Sequence, residues 1–364
     1  MSRKKNPARG ATLADVANRS GVSLASASRV LSDSEYPVST KTRKRVIEAA
    51  NELNYFPVAS SLIIKFDTSP VLGIIVPTLQ NPFFSQVILG VEAEANRHGY
   101  QVMVCSSHRS VEEERKNIHS LLRSRITSLI IISIDSEKAT LENYIACGGQ
   151  VAMLESNFSL PNTIMTRTDY PSAGKMAAEH LISFGHRNIA FFTSPLTKSY
   201  RRGILSGVRT TMKEAGLPFP DSNIFVAGTE METDTGLYEF EMGKHLVDQF
   251  LSEKHGSITA IIAINDLTAF GILQAFTRKG ISVPKDISVI SFDNLPYSGM
   301  IYPPLTTIEL PSANLGTSAC KMLISMIEGH FSHQIGITFD FQGKLIDRES
   351  VRYLNRAERS TSEQ

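Results

Sequence analysis

The stretch ATLADVANRSGVSLASASRVL, residues 11–31, determines how the start of the chain folds. Thr12 precedes Asp15 by three residues, which is the spacing of a capping box, so a helix is predicted to begin there. Apolar residues then recur at helical spacing as far as Gly21, which can adopt the positive φ that ends a helix. Ser23 is the predicted cap of a second helix after a short turn. Two short helices joined by a glycine-containing turn are typical of a helix-turn-helix.

The second predicted helix has one apolar and one polar face. Ala27 and Val30 repeat at the spacing that faces a core, which turns Ala25, Ser28 and Arg29 outward. An outward face of small and polar residues with one arginine suits the DNA major groove. A pair of helices that only packs would show the same pattern, so these residues alone leave both interpretations open.

Positive charge is concentrated at this end of the chain. Residues 1–60 hold ten Lys/Arg and five Asp/Glu, a net charge of +5, whereas the remainder holds 27 and 31, a net charge of −4. A phosphate-binding surface needs such an excess, although a solvated basic leader would also produce it. A third helix is predicted after Ser39, and it closes an all-α domain over residues 11–56. Four cations at its start suit phosphate contacts: Lys41, Arg43, Lys44 and Arg45.

The rest of the composition sets limits on location and chemistry. Of the 364 residues 42% are hydrophobic, which supports a sizeable core, but no apolar run approaches the roughly 18 residues of a membrane helix. The basic N-terminus has no apolar segment behind it, so a cytoplasmic protein without a membrane partner is expected. The three cysteines are widely spaced, and neither a metal nor a cofactor is expected.

From Val71 onward, apolar strand-like runs alternate with amphipathic helices, which indicates βαβ units and parallel sheets. Pro57 ends the third helix, so residues 57–69 are the predicted linker. Residues 70–350 are then predicted to form an α/β domain of two doubly wound lobes, 70–168 with 298–330 and 169–297. The polar tail 354–364 is expected to be disordered. The strand-like runs are LGIIVP, YQVMVCS, SLIIIS, QVAMLES, NIAFFTS, NIFVAG, AIIAI and ISVISFD.

Polar and aromatic residues follow the predicted strands, at the edge where open parallel sheets bind ligands. Catalysis is not indicated, because the chain has no GxSxG, GxGxxG, GxxxxGK or HExxH motif and no acid paired with a recognisable nucleophile. A binding protein with a ligand between two lobes is the simpler interpretation.

In order, the motifs TLADVANRSGVSLASASRVL, RKRVIEAANELNYFP, NPFF, GHRNIAFF, INDLTAFGILQAF, ISVISFDN and PPLTTIEL resemble the LacI/GalR family of transcription regulators over roughly residues 11–350. The resemblance implies a homodimer or tetramer that binds a palindromic DNA operator. It also implies a periplasmic-binding-protein-like core that reads a small molecule, most often a sugar. A ligand that favours one lobe orientation would change the spacing of the paired DNA-binding heads; repression is the commoner outcome.

By position, the resemblance assigns base reading to Leu24, Ala25 and Arg29. It assigns phosphate contact or capping to Ser23, Ser26 and Ser28. Thr12 is grouped with them as a DNA-binding candidate. Arg29 can bond a guanine in bidentate fashion. The linker departs from the family pattern, in which a leucine seven residues after the proline enters the minor groove. Here Leu62 comes five residues after Pro57 and Ile64 occupies the ungapped position, so either is the candidate wedge, and a simple tether is the alternative.

The effector candidates are Phe83, Phe84, Ser106, Glu155, Arg202, Met231, Asn265 and Asp293. Phe83 and Phe84 fit stacking on a ring, and Asn265 and Asp293 match positions that commonly hold sugar hydroxyls. Asp266 is interpreted as a helix cap. Several family partners are missing: Glu155-Ser156 replaces an Asp-Arg pair, Ile204 an arginine and Leu310 a glutamine. Three alternatives therefore stay open: a regulator with a degenerate pocket controlled by a protein partner, a small-molecule receptor without a DNA role, and an enzyme.

Overall fold

The computed structural model describes residues 12–31, 38–53, 55, 70–156, 158–228, 237–253, 257–330 and 338–354. The first helices are α1 (Leu13–Ser20), α2 (Leu24–Leu31) and α3 (Thr40–Glu52). Alanine and valine side chains at the predicted inward positions form their shared core, so the helices approach closely. These core residues are Val16, Ala17, Ala27, Val30, Val46, Ala49 and Ala50.

The ends of α1 are fixed as the sequence predicts. The Thr12 hydroxyl accepts a hydrogen bond from the Asp15 backbone N–H at 3.3 Å, and the Asp15 carboxylate accepts one from the Thr12 N–H at 2.8 Å. Gly21 closes the helix with φ of 64°. The Arg45 guanidinium donates to the backbone carbonyl of Ser20. One of the four cations predicted to suit phosphate contacts therefore caps α1 from α3.

The first lobe contains a six-stranded sheet whose strand pairs are all parallel. Its spatial order is β11-β5-β4-β3-β1-β2. Helices cover both faces, which explains why the strand Val71–Val76 is apolar throughout. The strands are β1 (Val71–Val76), β2 (Gln101–Ser106), β3 (Ser128–Ile131), β4 (Gln150–Leu154), β5 (Thr163–Thr168) and β11 (Thr338–Phe341). The helices are α4 (Pro82–Arg97), α5 (Val111–Arg123), α6 (Ala139–Ala146) and α11 (Ser312–Ile327).

The second lobe repeats the arrangement with the order β12-β10-β9-β8-β6-β7. All of its pairs are parallel except the edge pair of β10 and β12. The strands are β6 (Ile189–Thr193), β7 (Ile224–Val226), β8 (Ala260–Ala263), β9 (Ser288–Asp293), β10 (Thr306–Glu309) and β12 (Lys344–Ile346). The helices are α7 (Tyr170–Ser183), α8 (Ser199–Glu214), α9 (Tyr238–Ser252) and α10 (Asp266–Arg278).

In both sheets the chain winds outward in two directions from one strand, β1 in the first lobe and β6 in the second. This doubly wound order agrees with the predicted fold class, and it creates a crevice at the carboxyl ends of the strands beside each reversal. The predicted lobe boundary was wrong in one part. Residues 298–330 were assigned to the first lobe, but β10 pairs with β9 in the second sheet, and only α11 joins the first lobe.

Paired helices on each lobe cross with their backbones in close contact. A Cβ atom on Gly90 of α4 would lie 2.1 Å from the carbonyl oxygen of Ala313 at the start of α11. On the second lobe, a Cβ on Gly207 of α8 would lie 2.0 Å from the Pro171 carbonyl oxygen in α7. These glycines set the helix spacing because no larger residue fits.

The eight apolar runs predicted as strands are strands, whereas β5, β10, β11 and β12 were not predicted. Five glycines that lie just after helices have positive φ, namely Gly99, Gly148, Gly185, Gly216 and Gly280. Most of the predicted disordered tail lies outside the described residues. None of the described helices has the length and apolarity needed to cross a bilayer.

Candidate functional site

The outer face of α2 carries the predicted base-reading residues. Leu24 is 53% exposed, although it is a large apolar side chain, and Ala25 and Arg29 are also exposed. Ser23 caps the helix, since its hydroxyl accepts a hydrogen bond from the Ser26 N–H at 3.1 Å. These side chains form a continuous outward surface on a helix fixed from behind by its apolar face.

Three predicted site residues lie outside the described residues, namely Leu62 and Ile64 of the linker and Met231 of the effector set. Thr12 and Ser28 are both exposed. Thr12 is committed to the α1 capping box, and Ser28 lies on the outward face of α2. The DNA-contacting roles of these residues remain predictions.

A cavity of about 300 Å³ lies between the carboxyl ends of the two sheets. This is the lower end of the size range of small-molecule sites. Its described walls from the first lobe are Pro77, Asn81, Phe83, Phe84, Arg109, Val111, Ile132, Ser133, Ile134 and Glu155. Those from the second lobe and its connections are Tyr170, Lys198, Ser199, Tyr200, Arg201, Ile204, Glu239, Ile264, Asn265, Asp293 and Leu310.

Five of the predicted effector residues meet in this cavity: Phe83, Phe84, Glu155, Asn265 and Asp293. Two predicted residues do not line it. The Ser106 hydroxyl accepts a hydrogen bond from the His108 N–H at 3.2 Å, beside the end of β2. The Arg202 guanidinium is exposed and donates to the carbonyl oxygens of Leu196 and Thr197, each at 2.7 Å. The preceding residue, Arg201, is the arginine that lines the cavity.

The two phenylalanines at the start of α4 form one apolar wall. Their ring centroids are 5.4 Å apart in an edge-to-face arrangement. Asn81 holds this helix start, because its side-chain oxygen accepts a hydrogen bond from the Phe83 N–H at 3.0 Å. Such a wall can bury the apolar face of a ring.

The amide nitrogen of Asn265 is the side-chain polar group that remains for a ligand. Its side-chain oxygen accepts hydrogen bonds from the Thr268 N–H at 2.9 Å and from the Thr268 hydroxyl at 2.7 Å, which caps α10. Asn265 is therefore the cap of α10, and the prediction of Asp266 as the cap was wrong. A ligand in the cavity would meet a hydrogen-bond donor at this position.

Asp266 instead serves as a buried anchor beneath the cavity. Its carboxylate accepts hydrogen bonds from the Leu295 N–H and the Thr307 hydroxyl, each at 2.7 Å, and also from the hydroxyls of Ser291 and Ser298. These hydrogen bonds fix the loop that follows β9. Asp293, the last residue of β9, has a φ of 111°, a backbone region that L-residues rarely adopt.

The carboxyl groups of Glu155 and Asp293 occupy desolvated positions in the wall. Burial raises the pKa of Glu155 to about 8, although its carboxylate accepts a hydrogen bond from the Thr168 hydroxyl at 2.9 Å. Burial, together with the nearby negative charges of Asp266 and Glu239, raises the pKa of Asp293 well above its ordinary value. Both groups favour the protonated, hydrogen-bond-donating form.

An ion pair joins the lobes across the cavity. The Arg109 guanidinium, after β2, lies 2.5 Å from the carboxylate of Glu239 in the first turn of α9, and both side chains are about nine-tenths buried. The Asn81 amide donates to the same carboxylate at 3.3 Å. The Lys198 ammonium crosses in the other direction and donates to the Ile134 carbonyl at 3.3 Å. The described lobes are thus in direct polar contact.

These charged residues were not among the predicted effector residues. Arg109 and Lys198 follow strands β2 and β6, so the rule that ligands bind after parallel strands could have selected them. The sequence around Glu239 did not indicate a site residue, because acidic residues are common in the first turn of a helix. Only the three-dimensional packing shows that it faces Arg109.

Two family profiles match the chain. Residues 12–58 match the profile described as bacterial regulatory proteins of the lacI family. Residues 69–345 match that of periplasmic binding proteins and the sugar binding domain of the LacI family. The boundary between the two matches falls within the predicted linker.

Relatives extend over nearly the whole chain. An HTH-type transcriptional repressor PurR of Photobacterium profundum is 30% identical over 347 residues, which is 95% of this chain and all of that protein. The PurR of Aliivibrio fischeri strain MJ11 is 31% identical over 358 residues, covering 95% and 99%.

Solved structures share the fold. A lac repressor dimer bound to operator and the anti-inducer ONPF matches with a TM-score of 0.67 and 26% identity over 94% of this chain and 100% of that one. A ribose-bound regulator of Enterococcus faecium matches with a TM-score of 0.69 and 23% identity over 78% of this chain and 100% of that one. The helix-turn-helix face, the two-lobed cavity and these matches lead to one conclusion: the chain belongs to the LacI family of DNA-binding transcriptional regulators.

Proposed function

We propose that this protein is a repressor that binds a palindromic operator as a homodimer and changes its operator affinity when a small molecule occupies the cavity between its lobes. The observation that carries the proposal is the presence, on one chain, of an exposed α2 reading face and a cavity whose wall crosses from one lobe to the other. A receptor without a DNA role would not need the first feature. We also propose a cytoplasmic location, since the operator is there.

The reading face supports sequence-specific contact. Arg29 can bond the O6 and N7 atoms of a guanine, and Leu24 and Ala25 can contact a thymine methyl group. The predicted dimer would place two such helices in successive major grooves, which explains the expectation of a palindrome.

Exposed apolar residues on both lobes support the homodimer. In the first lobe β2 is an edge strand, and its Met103 and Val104 are 43% and 40% exposed. In the second lobe Met300 and Tyr302 are 78% and 90% exposed. A second copy of the chain would bury these residues, and removing their apolar surface from water would favour the dimer.

A ring-shaped effector such as a sugar or sugar derivative fits the walls. The edge-to-face pair of Phe83 and Phe84 can cover an apolar ring face, and the Asn265 amide and Asp293 carboxyl can bond hydroxyl groups. A cavity between the lobes with convergent polar groups favours a small molecule over the alternative of a protein partner that acts on a degenerate pocket.

The test is selection of bound duplexes from a random pool, followed by titration of sugars and sugar derivatives against the selected site. If the selected sequence is palindromic and the binding of the protein to it responds to one compound, the whole proposal is supported. Arg29→Ala should alter the selected sequence, whereas Arg278→Ala, which removes an exposed arginine of α10, should not. Strong selection without any response would point to the protein-partner alternative. Absence of sequence preference in the wild-type protein would overturn the proposal.

A further inference from the structure

Polar side chains of the first lobe that line the cavity are bonded within the protein. The Asn81 side chain accepts from the Phe83 N–H and donates to the Glu239 carboxylate, so both of its polar atoms are used. The Ser133 hydroxyl donates to a buried carboxylate of α5 at 2.5 Å, and Arg109 pairs with Glu239 at the same distance. A ligand that took over one of these bonds would have to replace it with an equal one, because a buried polar group that loses its partner is costly.

The cations of the second lobe are also engaged. Lys198 donates to the Ile134 carbonyl at 3.3 Å, and Arg201 donates to the Pro195 carbonyl at 2.8 Å. Both cations take part in further interactions as well. Each of them therefore has its partners within the protein, and neither requires a group of the ligand.

Two polar groups at neighbouring strand ends differ from these. Among the described residues, the amide nitrogen of Asn265 and the carboxyl group of Asp293 have no hydrogen-bond partner. In the parallel pair of β8 and β9, Ile262 lies opposite Ile290, and continuing this register places Asn265 beside Asp293. The two side chains thus form one short polar edge, in which an N–H donor lies next to a carboxyl group.

Apolar side chains make up much of the remaining wall. Ile204, Ile264 and Leu310 belong to the core of the second lobe and are between 1% and 5% exposed. Phe83 packs against the same core, and its ring lies edge to face with that of Phe84. A ligand hydroxyl against these side chains would lose its hydrogen bonds to water without replacement, whereas an alkyl or aryl group would gain by leaving water.

We infer that the effector is a ring compound with a single polar edge, whose two adjacent hydroxyl or carbonyl groups bond to Asn265 and Asp293, and with an apolar remainder. That remainder lies against Phe83, Ile204 and Leu310. The inference rests on the proposed function, because it names the ligand class of the same site. A sugar that carries an aryl or alkyl group belongs to this class, whereas a free sugar with hydroxyl groups on every side does not.

The first test titrates matched pairs of compounds into the wild-type full-length protein without DNA, followed by calorimetry. The pairs are myo-inositol with cis-cyclohexane-1,2-diol, glucose with phenyl β-glucoside, and galactose with phenyl β-galactoside. In each pair the second member keeps a polar edge but replaces hydroxyl groups or adds an aryl group. The second member of at least one pair should bind with a Kd lower by about tenfold or more.

The second test changes the apolar wall and the polar edge separately. Leu310→Gln should reduce the ratio of the two dissociation constants by about threefold or more, whereas Leu310→Met, which keeps the wall apolar at similar volume, should preserve it. Because the ratio compares two ligands on one protein, a loss of stability common to both cancels. Asp293→Ala should weaken both members by a similar factor, since both use the polar edge.

Equal or tighter binding of the more hydroxylated member in every pair would overturn the inference, as would a panel in which no member with an apolar remainder binds. Wild-type affinities for both members in Asp293→Ala would overturn the polar edge. The wild-type panel gives its answer even if Leu310→Gln does not fold. None of these titrations contains DNA, so the ligand class is decided separately from operator selection, whose failure would refute the proposed function.

Discussion

Replacing Asp266 with alanine should destabilise the second lobe more than any other single carboxylate deletion on it. The Asp266 side chain is fully buried, and its two oxygens accept four hydrogen bonds, three from hydroxyls and one from the Leu295 N–H. These donors come from β9, from the loop after it and from β10. One side chain at the start of α10 therefore joins three segments that are distant in sequence.

The size of the destabilisation depends on which hydrogen-bond donors lose their acceptor. The Leu295 N–H points at the carboxylate and cannot turn elsewhere, so its loss costs about 1–3 kcal/mol. The three hydroxyls can rotate toward other acceptors, and we count one further loss of similar size. The expected destabilisation of Asp266→Ala is thus about 2–6 kcal/mol. Asp266→Asn keeps the shape and one oxygen acceptor, so about 1–3 kcal/mol is expected for it.

Thermal and urea unfolding followed by circular dichroism measure the effect, since the chain has no tryptophan to report by fluorescence. Asp248→Ala is the matched control: this aspartate lies on α9 of the same lobe and forms an exposed ion pair with Lys279 at 2.7 Å, worth about 1 kcal/mol at most. The melting temperature of Asp266→Ala should fall by on the order of 10 °C. If it falls no further than that of Asp248→Ala, the four hydrogen bonds do not carry the role assigned to them.

Arg29→Ala should cost about 1–3 kcal/mol of operator affinity and flatten the preference at one base pair per half-site in competition with singly substituted operators; an equal loss on every duplex would show a phosphate contact. Glu155 has a pKa of about 8 in the folded protein against an ordinary 4.5, so the folded state keeps a proton that the unfolded chain loses. Wild-type stability should therefore fall as pH rises from about 5 to 8, by at most about 1.4 kcal/mol per unit, and a Glu155→Gln variant that declines equally would disprove this cause. Gly90→Ala should cost about 2 kcal/mol or more, because its methyl group would lie 2.1 Å from the Ala313 oxygen, whereas Gly228→Ala, with open space around it, should be nearly neutral in the same melts.

The strands that the sequence predicted and those it missed differ in polarity. Runs such as LGIIVP are apolar at every position, because helices cover both faces of the sheet. β5 and β10, with the sequences TIMTRT and TTIE, do not show this pattern. Some of their buried threonines bond to residues elsewhere in the sequence, as Thr168 does to Glu155 and Thr307 does to Asp266. A local pattern cannot reveal a strand whose polar side chains are satisfied by residues far along the chain.

The same limit explains the assignment of β10. A sequence that alternates between strands and helices gives the order of the elements but not the sheet that each strand joins. β10 follows β9 directly in the second sheet, and the chain crosses to the first lobe only before α11. The prediction placed this crossing too early, before residue 298.

The site shows how far residue position alone can lead. Loops after parallel strands converge, and this rule found Phe83, Glu155, Asn265 and Asp293. The arginine was missed by one position, since Arg202 was named where Arg201 lines the cavity. One residue turns a helical side chain by about 100°, so the choice depends on the phase of α8, which is set by its packing against α7.

The cavity also lies at the segments where the chain crosses between lobes. The first crossing runs from Thr168 at the end of β5 to Tyr170 at the start of α7, and both contribute here, Thr168 through its bond to Glu155 and Tyr170 as part of the wall. The second crossing, after β10, contributes Leu310 to the wall.

A ligand shifts the balance between two lobe orientations only by the difference in its affinity for them. Because the walls come from both lobes and from the crossings, any change of angle changes the cavity itself. A ligand bound in the cavity would therefore respond to lobe orientation directly, without a separate relay within either lobe.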